Sequence, residues 1–263
     1  MNKTLLASAL LLSLPLVAQA ADDGSWSGSG ELGLALSRGN TKSENLNAKL
    51  AFKKEDDAWK HNLFLNALRS KGEITTTNAD GTPLETYSLT ANRFEFGASS
   101  GYKLDERSYI VGAVRYENDD FSPYEYQGIV SLGYGYTAIK NERTELAFEA
   151  GPGYRRLDKR PYTVFSGVPP VGVELNPSAD GQVVARGLIA LKHKLTDNTA
   201  FENTLLVEAG SDNKFIQNDA GLAVSMNSKL ALKLGYQVRH NSDVSPGTDK
   251  TDQLVTTNLV YNF

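Results

Sequence analysis

The sequence predicts an all-β fold: a transmembrane antiparallel up-and-down β-barrel of about 12 strands, of the outer-membrane type. Three observations support this prediction. Apolar and polar residues alternate along many segments, the connectors alternate between short and long, and the mean hydropathy is only -0.35. A barrel strand of about ten residues crosses a membrane and shows its apolar character only at every second position. The low hydropathy, without a long apolar run after the N-terminus, excludes a bundle of membrane-spanning helices.

Residues 1–20 have the composition of a cleaved secretory signal. Lys3 gives a positive start, the stretch from Leu5 to Val17 is apolar, and Ala18-Gln19-Ala20 has the small-x-small pattern of a cleavage site. Cleavage after Ala20 would leave residues 21–263 as a single barrel domain. The expected location is therefore the cell outer membrane, reached by export through the inner membrane.

The alternation predicts each strand in turn. The predicted strands lie near residues 26–37, 44–55, 59–70, 85–102, 108–118, 126–137, 145–157, 181–195, 199–210, 215–226, 229–240 and 251–263. The connectors between them are short at 56–57, 105–106, 140–142, 196–198 and 227–228, and longer at 71–84, 118–125, 158–180 and 241–250. Short turns at one end and longer loops at the other are typical of bacterial outer-membrane barrels.

One face of the alternating strands is apolar, with aromatic residues near the strand ends. Its members include Trp26, Leu32, Leu34 and Leu36 in the first segment, Leu46, Leu50 and Phe52 in the second, Leu63 and Leu65 in the third, Tyr126, Val130, Leu132, Tyr134 and Tyr136 in the sixth, Leu146, Phe148 and Tyr154 in the seventh, and Leu230, Leu232, Leu234, Tyr236 and Val238 in the eleventh. In a spanning barrel these side chains face lipid, and the residues between them face the lumen.

A soluble calycin-like barrel or β-sandwich would also show alternation. Against it, many polar positions hold Gly, Ser and Asn rather than the Lys and Glu of a solvated surface. The chain also ends in Leu259-Val260-Tyr261-Asn262-Phe263, with Tyr261 and Phe263 at alternate positions. This ending resembles the signal by which outer-membrane barrels are handed to the barrel-assembly machinery, so that machinery is an expected partner.

Several motifs together carry a family resemblance. They are Trp26-x-Gly28-x-Gly30-Glu31-Leu32-Gly33 with Arg38-Gly39-Asn40-Thr41, Tyr116-Glu117-Asn118-Asp119-Asp120-Phe121, Gly133-Tyr134-Gly135-Tyr136, and Glu149-Ala150-Gly151-Pro152-Gly153-Tyr154-Arg155-Arg156. With these motifs the chain resembles the salt-induced outer-membrane protein family, a domain-of-unknown-function family. The resemblance implies an outer-membrane barrel with no established activity. The proline-bearing insertion from Pro161 to Pro177 departs from that pattern, and whether the loop at 158–180 binds anything stays open.

The polar face supplies the candidate functional residues. Strand parity predicts lumen-facing charges at Lys49, Lys53, Lys60, Arg93, Glu149, Arg155, Arg186, Glu202, Glu208, Lys229, Lys233 and Arg239. If acids and bases pair across strands, the barrel is plugged and structural; a continuous basic track through a wet lumen would favour anionic solutes. The similar number of both signs favours pairing.

Two classes of function remain open. The first is a non-enzymatic membrane protein, either a narrow channel for small hydrophilic solutes or an envelope protein with a structural or stress-related role. The second is a lipid-face hydrolase of the outer-membrane phospholipase type, in which His240 would act with Ser242 or Ser245. A catalytic triad is recognised by geometry, which the sequence does not supply.

Other functions are disfavoured by particular features. Gly28-x-Gly30-x-x-Gly33 matches the dinucleotide-binding pattern, but these glycines lie inside a predicted strand and no helix begins there. The three histidines lie far apart without metal-ligand spacing, and the chain has no cysteine, so no metal or cofactor is expected. A net charge of -4 predicts no nucleic-acid partner. We expect the chain to be a monomer. Its expected surroundings are outer-membrane lipid and lipopolysaccharide.

Overall fold

A computed structural model describes residues 25–37, 42–78, 80–122, 124–166, 171–175, 179–244 and 249–263. The predicted signal, residues 1–20, lies outside this part of the chain. Fourteen strands lie within the described residues: β1 Trp26–Ser37, β2 Ser43–Glu55, β3 Trp59–Thr77, β4 Pro83–Lys103, β5 Ser108–Asp119, β6 Tyr124–Lys140, β7 Thr144–Lys159, β8 Tyr162–Ser166, β9 Val171–Leu175, β10 Asp180–Lys194, β11 Thr199–Ala209, β12 Lys214–Ser225, β13 Leu230–Asn241 and β14 Thr251–Asn262.

Twelve of the strands form one closed antiparallel barrel, and β8 and β9 form a separate hairpin. Each barrel strand pairs with its neighbours in chain order, except that β7 pairs with β10 and β14 pairs with β1 to close the ring. The all-β, closed, up-and-down architecture predicted from the alternation is thus confirmed. In the described part of the chain there is no helix of the length and hydrophobicity needed to cross a membrane.

The two ends of the barrel differ in their connectors. At the turn end, the connections at 56–58, 104–107, 141–143, 195–198 and 226–229 hold three or four residues each. The opposite end, called the loop end below, carries the longer connections, including the β8–β9 hairpin. This asymmetry is the one expected of an outer-membrane barrel, whose short turns face the periplasm.

Four of the five short turns are closed by an Asp or Asn side chain at the same relative position. Oδ1 of Asp105 accepts hydrogen bonds from the backbone N–H groups two and three residues later, at 2.7 and 2.8 Å. Asp56, Asn141 and Asn227 repeat this arrangement at 2.8–3.0 Å. Such local bonds satisfy backbone donors that have no ladder partner, which is why Asp and Asn favour turns.

The barrel wall has an apolar outer face and a polar inner face. Leu132 and Leu234, in mid-strand, are 61% and 54% exposed, while the neighbouring lumen-facing residues Ser131 and Lys233 are half-buried. Large exposed apolar side chains would be unfavourable in water but match the hydrocarbon of a membrane. The aromatic residues Trp59, Tyr102 and His61 cluster on this outer face at the turn end.

Glycines on the inner face leave room for large side chains. A Cβ atom at Gly135 would collide with the ring of Tyr109, and one at Gly97 would collide with the ring of Phe64. Both rings therefore lie flat against the wall, where a larger residue would force them into the lumen. This close approach explains two of the many glycines in the strands.

The structure corrects two of the predicted loops. The segment 71–84 was expected to be a loop, but β3 continues to Thr77 and β4 begins at Pro83, with Gly81 at positive φ (85°) in the tip. The β-branched run from Ile74 to Thr77 favours pairing, which satisfies backbone groups beyond the membrane as well as within it. The predicted loop 158–180 similarly contains the β8–β9 hairpin.

The seam that closes the ring is paired over only part of its length. Residues Ser29 to Leu32 of β1 pair with Leu259 to Asn262 of β14, and Gly28 and Phe263 exchange backbone hydrogen bonds of 2.7 and 2.9 Å. From 33 to 36, β1 forms ladder pairs with β2 alone, and from 251 to 258, β14 forms ladder pairs with β13 alone. The paired part lies at the turn end and the unpaired part at the loop end.

The two faces predict opposite responses to a charged substitution. Leu234→Arg places a guanidinium in lipid near mid-strand and should lower the free energy of unfolding by about 2–4 kcal/mol. Thr204→Arg, at a similar depth on the inner face beside Glu202 and Asp219, should have a much smaller effect. Urea unfolding of the refolded variants in lipid vesicles would measure both; equal losses would contradict the assigned faces.

The turns predict a pH dependence. The backbone N–H groups of Arg107 and Ser108 hold the pKa of the Asp105 carboxyl below its usual range. Its stabilisation is therefore complete above the unfolded pKa of about 4 and is lost as the pH falls through the lower folded value. Asp105→Asn, which copies the Asn141 and Asn227 turns, should leave the protein less stable than wild type at pH 7, and this difference should shrink as the pH falls below about 4. Parallel urea titrations in which the difference does not change with pH would contradict this role.

Candidate functional site

The lumen at the loop end is crossed by a group of buried charges, called the trans-barrel cluster below. Its charged members are Glu95, Arg115, Glu117, Glu208 and Arg239, and the ring of Phe215 lies among them. The strands β5 and β13 face each other, six strands apart around the ring in either direction. Arg239 on β13 nevertheless forms an ion pair with Glu117 on β5. The cluster therefore ties opposite walls of the barrel together.

Arg115 is the centre of the cluster. Its guanidinium donates to Glu208 through Nε at 3.1 Å and to Glu117 through Nη1 at 3.1 Å, and Glu95 lies 3.7 Å away. Glu208 is fully buried and Glu117 is 2% exposed. Carboxylates removed from water to this degree require charged partners, because desolvation alone would strongly favour their neutral form.

An aromatic ring separates the two guanidinium groups of the cluster. The Phe215 side chain is completely buried, and its ring centre lies 4.9 Å from Cζ of Arg115 and 5.1 Å from Cζ of Arg239. Both distances are within the range of cation–π attraction. An apolar residue thus fills the space between two cations inside the cluster.

Arg155 is the exception among these charges. It is fully buried, and only its Nη2 has a partner, the backbone oxygen of Asn213 at 2.7 Å. Its Nε and Nη1 atoms have no hydrogen-bond partner in the described structure. A buried guanidinium without a carboxylate contact opposes folding, in contrast to the paired Arg115.

Two further groups of charges lie nearer the turn end. Arg186 contacts Glu149 at 3.0 Å, and Glu149 also accepts from the Tyr109 hydroxyl at 3.1 Å. Lys233 contacts Glu31 at 2.8 Å and Glu202 at 3.1 Å. Of the expected lumen charges, these contacts bring together Glu149 with Arg186 and Glu202 with Lys233.

Besides Arg155, four of the expected bases that lie on the inner face form no ion pair in the described structure. Lys49 and Lys53 on β2 line cavities without a carboxylate within ion-pair distance, and Lys60 places its Nζ 4.3 Å from the centre of the Tyr109 ring. Arg93 donates to the Gln237 side chain at 2.6 Å across the lumen. These bases lie on the adjacent strands β2, β3 and β4.

Lys229 differs from its predicted placement. It lies in the turn before β13, is exposed, and donates its backbone N–H to Asn227. The alternation predicts it within a strand that in fact begins one residue later. Conversely, Arg115, Glu117 and Phe215 lie in the lumen but are not among the predicted lumen residues. Alternation on β5, where Tyr109, Val111 and Ala113 precede Arg115, is the signal that could have found the first two.

The two proposed C-terminal signal residues lie on the outer face at the turn end. The rings of Tyr261 and Phe263 stack with centres 6.1 Å apart, and Phe263 also meets Phe52 edge-on at 5.8 Å. Their position at the closing strand is compatible with the predicted recognition by the assembly machinery, which stays a prediction.

The proposed hydrolase residues make other contacts. His240 Nδ1 is 2.9 Å from the Thr251 hydroxyl, and Ser242 bonds to the Asn213 side chain at 3.3 Å and accepts from the Lys214 N–H at 2.8 Å. Ser245 lies outside the described residues. No group of three or more His, Asp or Glu in the described chain could hold a metal ion. The observed contacts give no support to a histidine-activated serine.

Arg115 and Arg155 predict contrasting effects of the same substitution. Arg115→Met leaves Glu208 and Glu117 buried without their shared partner and should cost about 3–5 kcal/mol of unfolding free energy. Arg155→Met removes a buried cation that lacks a carboxylate and should change stability by less than about 1 kcal/mol or increase it. Urea unfolding in vesicles would distinguish the two, and the reverse order of stabilities would refute this assignment of roles.

Comparison with solved structures finds other barrels. The chain is similar to the translocator domain of the autotransporter NalP from Neisseria meningitidis, with a TM-score of 0.46, 12% identity and 90% and 86% of the two chains covered. It is also similar to an outer membrane channel from Pseudomonas putida F1 (TM-score 0.47, 11% identity, 95% and 98% covered) and to the NanC porin (0.45, 10%, 90% and 98%).

Comparison of sequences gives a family. The chain is 24% identical over 232 residues to the uncharacterized protein YdiY of Escherichia coli strain K12, with 88% of this chain and 81% of that protein covered. Residues 30–263 match the model of a family described as a protein of unknown function, DUF481. Since this match spans nearly all of the barrel, the chain belongs to the DUF481 family.

Proposed function

We propose that this protein is a narrow channel of the outer membrane for small hydrophilic solutes, and that the trans-barrel cluster restricts its passage. One observation carries the proposal: three cavities follow one another along the lumen from the turn end to the loop end. The inner cavity holds about 510 Å³, the middle cavity about 110 Å³ and the outer cavity about 490 Å³.

Neighbouring cavities share parts of their walls. The inner and middle cavities are both lined by Asn66, Glu202, Thr204 and Asp219. The middle and outer cavities are both lined by Leu68, Arg93, Gln237 and Leu254. A solute moving through this series would pass beside the trans-barrel cluster, along the wall formed by β2 to β4 and β11 to β14.

The chemistry of the walls favours hydrophilic solutes. Both signs of charge line the inner cavity, and amide groups from Asn66, Gln217 and Gln237 line the passage. The small middle cavity limits the size of what passes, since it has room for only a few water molecules. Such a lumen would admit ions and small polar molecules and hold back larger ones.

A structural role in the envelope is the second candidate. The observation that favours it is the trans-barrel cluster itself, whose ion pairs join opposite walls and stiffen the barrel. The chain resembles salt-induced outer-membrane proteins. This resemblance favours a structural role that protects the envelope during salt stress. A non-enzymatic protein is proposed in both cases.

The channel proposal predicts that removal of one pair from the cluster enlarges the conductance. Glu117→Ala combined with Arg239→Ala removes equal and opposite charges, while Arg115 keeps Glu208 as its partner. In planar bilayers the wild-type protein should show small conductance steps, and the double variant should show steps about twofold larger or more.

The matched control removes an exposed ion pair that lies outside the middle and outer cavities. Glu55→Ala with Lys140→Ala deletes a 2.9 Å pair at the turn end and should leave the conductance unchanged. If refolded wild type and the opened variant both form no ion-conducting steps, the channel proposal fails and the structural role takes its place.

A further inference from the structure

The unpaired part of the β1–β14 seam is unusual for a wall within a membrane. Backbone groups in lipid must be satisfied by pairing, because no water is available to bond them. Gly28 and Phe263 form a hydrogen-bonded pair, so by alternation the backbone groups of Leu34 and Leu36 face Thr257 and Val255 across the seam. The ladder stops at Leu32, and Gly33 still lies against Asn258 and the Thr257 carbonyl. We call the stretch without a ladder, from Leu34 towards the loop end, the slot.

The slot opens onto the lumen cavities. The lumen-facing side chains of the unpaired part of β14, Leu254, Thr256 and Asn258, all line the middle cavity, together with Glu31 on β1. Ala35 belongs to the lumen-facing set of β1 but is exposed. The middle cavity is therefore lined by both parts of the seam: Leu254 and Thr256 lie behind the slot, and Glu31 lies behind the paired part.

The outer lips of the slot are apolar. Leu34 and Leu36 on β1 are 64% and 60% exposed, and Val255 on β14 is 67% exposed. These side chains face lipid, so an alkyl chain that lies between the lips would meet hydrocarbon on both sides. A headgroup could not stay there without losing its solvation.

The middle cavity offers unpaired positive charge. Lys49 and Arg93 have no ion-pair partner in the described structure. Arg93 donates to the neutral Gln237 side chain, and the carboxylates of Glu95 and Glu117 act on it only from beyond ion-pair distance. The third base, Lys233, is held between Glu31 and Glu202. The remaining acid, Asp219, accepts from the amides of Gln217 and Gln237. Two free bases against one free acid favour a small anionic group.

We infer that the slot between β1 and β14 is a lateral opening for a single-chain anionic amphiphile, such as a fatty acid. The carboxylate lies in the middle cavity near Lys49 and Arg93, and the alkyl chain extends between Leu34, Leu36 and Val255 into the membrane. A middle cavity of about 110 Å³ has room for a carboxylate but not for a sugar or a phospholipid headgroup. This binding goes beyond conduction of hydrophilic solutes.

Quenching of a tryptophan behind the slot tests the inference. The chain has two tryptophans, Trp26 and Trp59, which are replaced by Phe before Leu254→Trp is introduced. Dibromostearate added at low mole fraction to vesicles that hold the refolded protein should quench this single tryptophan. Lys49→Gln with Arg93→Gln should raise the half-quenching concentration about tenfold, since it removes two charge-assisted contacts. Lys53→Gln, an unpaired lysine of the inner cavity, should not change it.

A disulfide across the slot is a second, independent test of the inference. The native chain has no cysteine, so the pair Ala35→Cys and Thr256→Cys adds the only thiols, at positions that would face each other if the ladder continued. Oxidation should strongly reduce quenching by dibromostearate. The control pair Ser29→Cys and Asn262→Cys, in the paired part of the seam, should have no such effect.

The outcomes separate this inference from the channel proposal. Quenching that is unchanged by the oxidised slot disulfide, or by the Lys49 and Arg93 substitutions, would overturn the inference. Vesicles made with brominated phosphatidylcholine should show no dependence on the disulfide, because a two-chain lipid does not enter. The protein with the oxidised slot disulfide should conduct ions as wild type does. A loss of conductance without a change in quenching would therefore concern the channel proposal and not the slot.

Discussion

The constraint on which this structure depends is the pairing of backbone hydrogen-bond groups where water is excluded. A strand in hydrocarbon has no other partner than a neighbouring strand, so a sheet that spans a membrane is stable only when it closes on itself. In a closed sheet, every second side chain of a strand faces outward and is apolar, and the side chains between them face inward and are polar. The lumen chemistry follows from that division, because charged side chains that face inward must meet one another or water.

The charged side chains that face the lumen find partners or water in two ways. Around Arg115 the charges are dry, paired and tied across the barrel, whereas along β2 to β4 the bases Lys49, Lys53 and Lys60 lie beside cavities without acidic partners. Paired charges and unpaired bases, which the sequence left as alternatives, therefore coexist at different places along one lumen. The cluster fills part of the lumen. The unpaired bases give the remaining part a local positive charge.

The sequence was sufficient to predict the twelve barrel strands, because alternation over ten or more residues is a strong local signal and the turn residues mark where it stops. The short β8–β9 hairpin carries no such signal and was predicted as a loop. The sequence placed Lys229 within a strand because a parity count does not show which residue begins the ladder. It could not show that Arg239 meets Glu117, since that contact depends on the diameter and stagger of the ring rather than on either local pattern. Nor could it show the short seam, because register between the first and last strands is a property of the closed barrel.

The chain order of the pairings also bears on how the barrel forms. Nearly every strand pairs with one that is adjacent in the chain, and the short turns begin each hairpin with bonds made within four residues, so most of the sheet can grow by local steps. The β1–β14 contact joins residues from opposite ends of the sequence, which makes it the slowest contact to find in a search governed by loop closure. With a ladder that runs only from Ser29 to Leu32, this contact is also the one that thermal fluctuations break first. The last step of folding and the first step of unfolding therefore take place at the same edge.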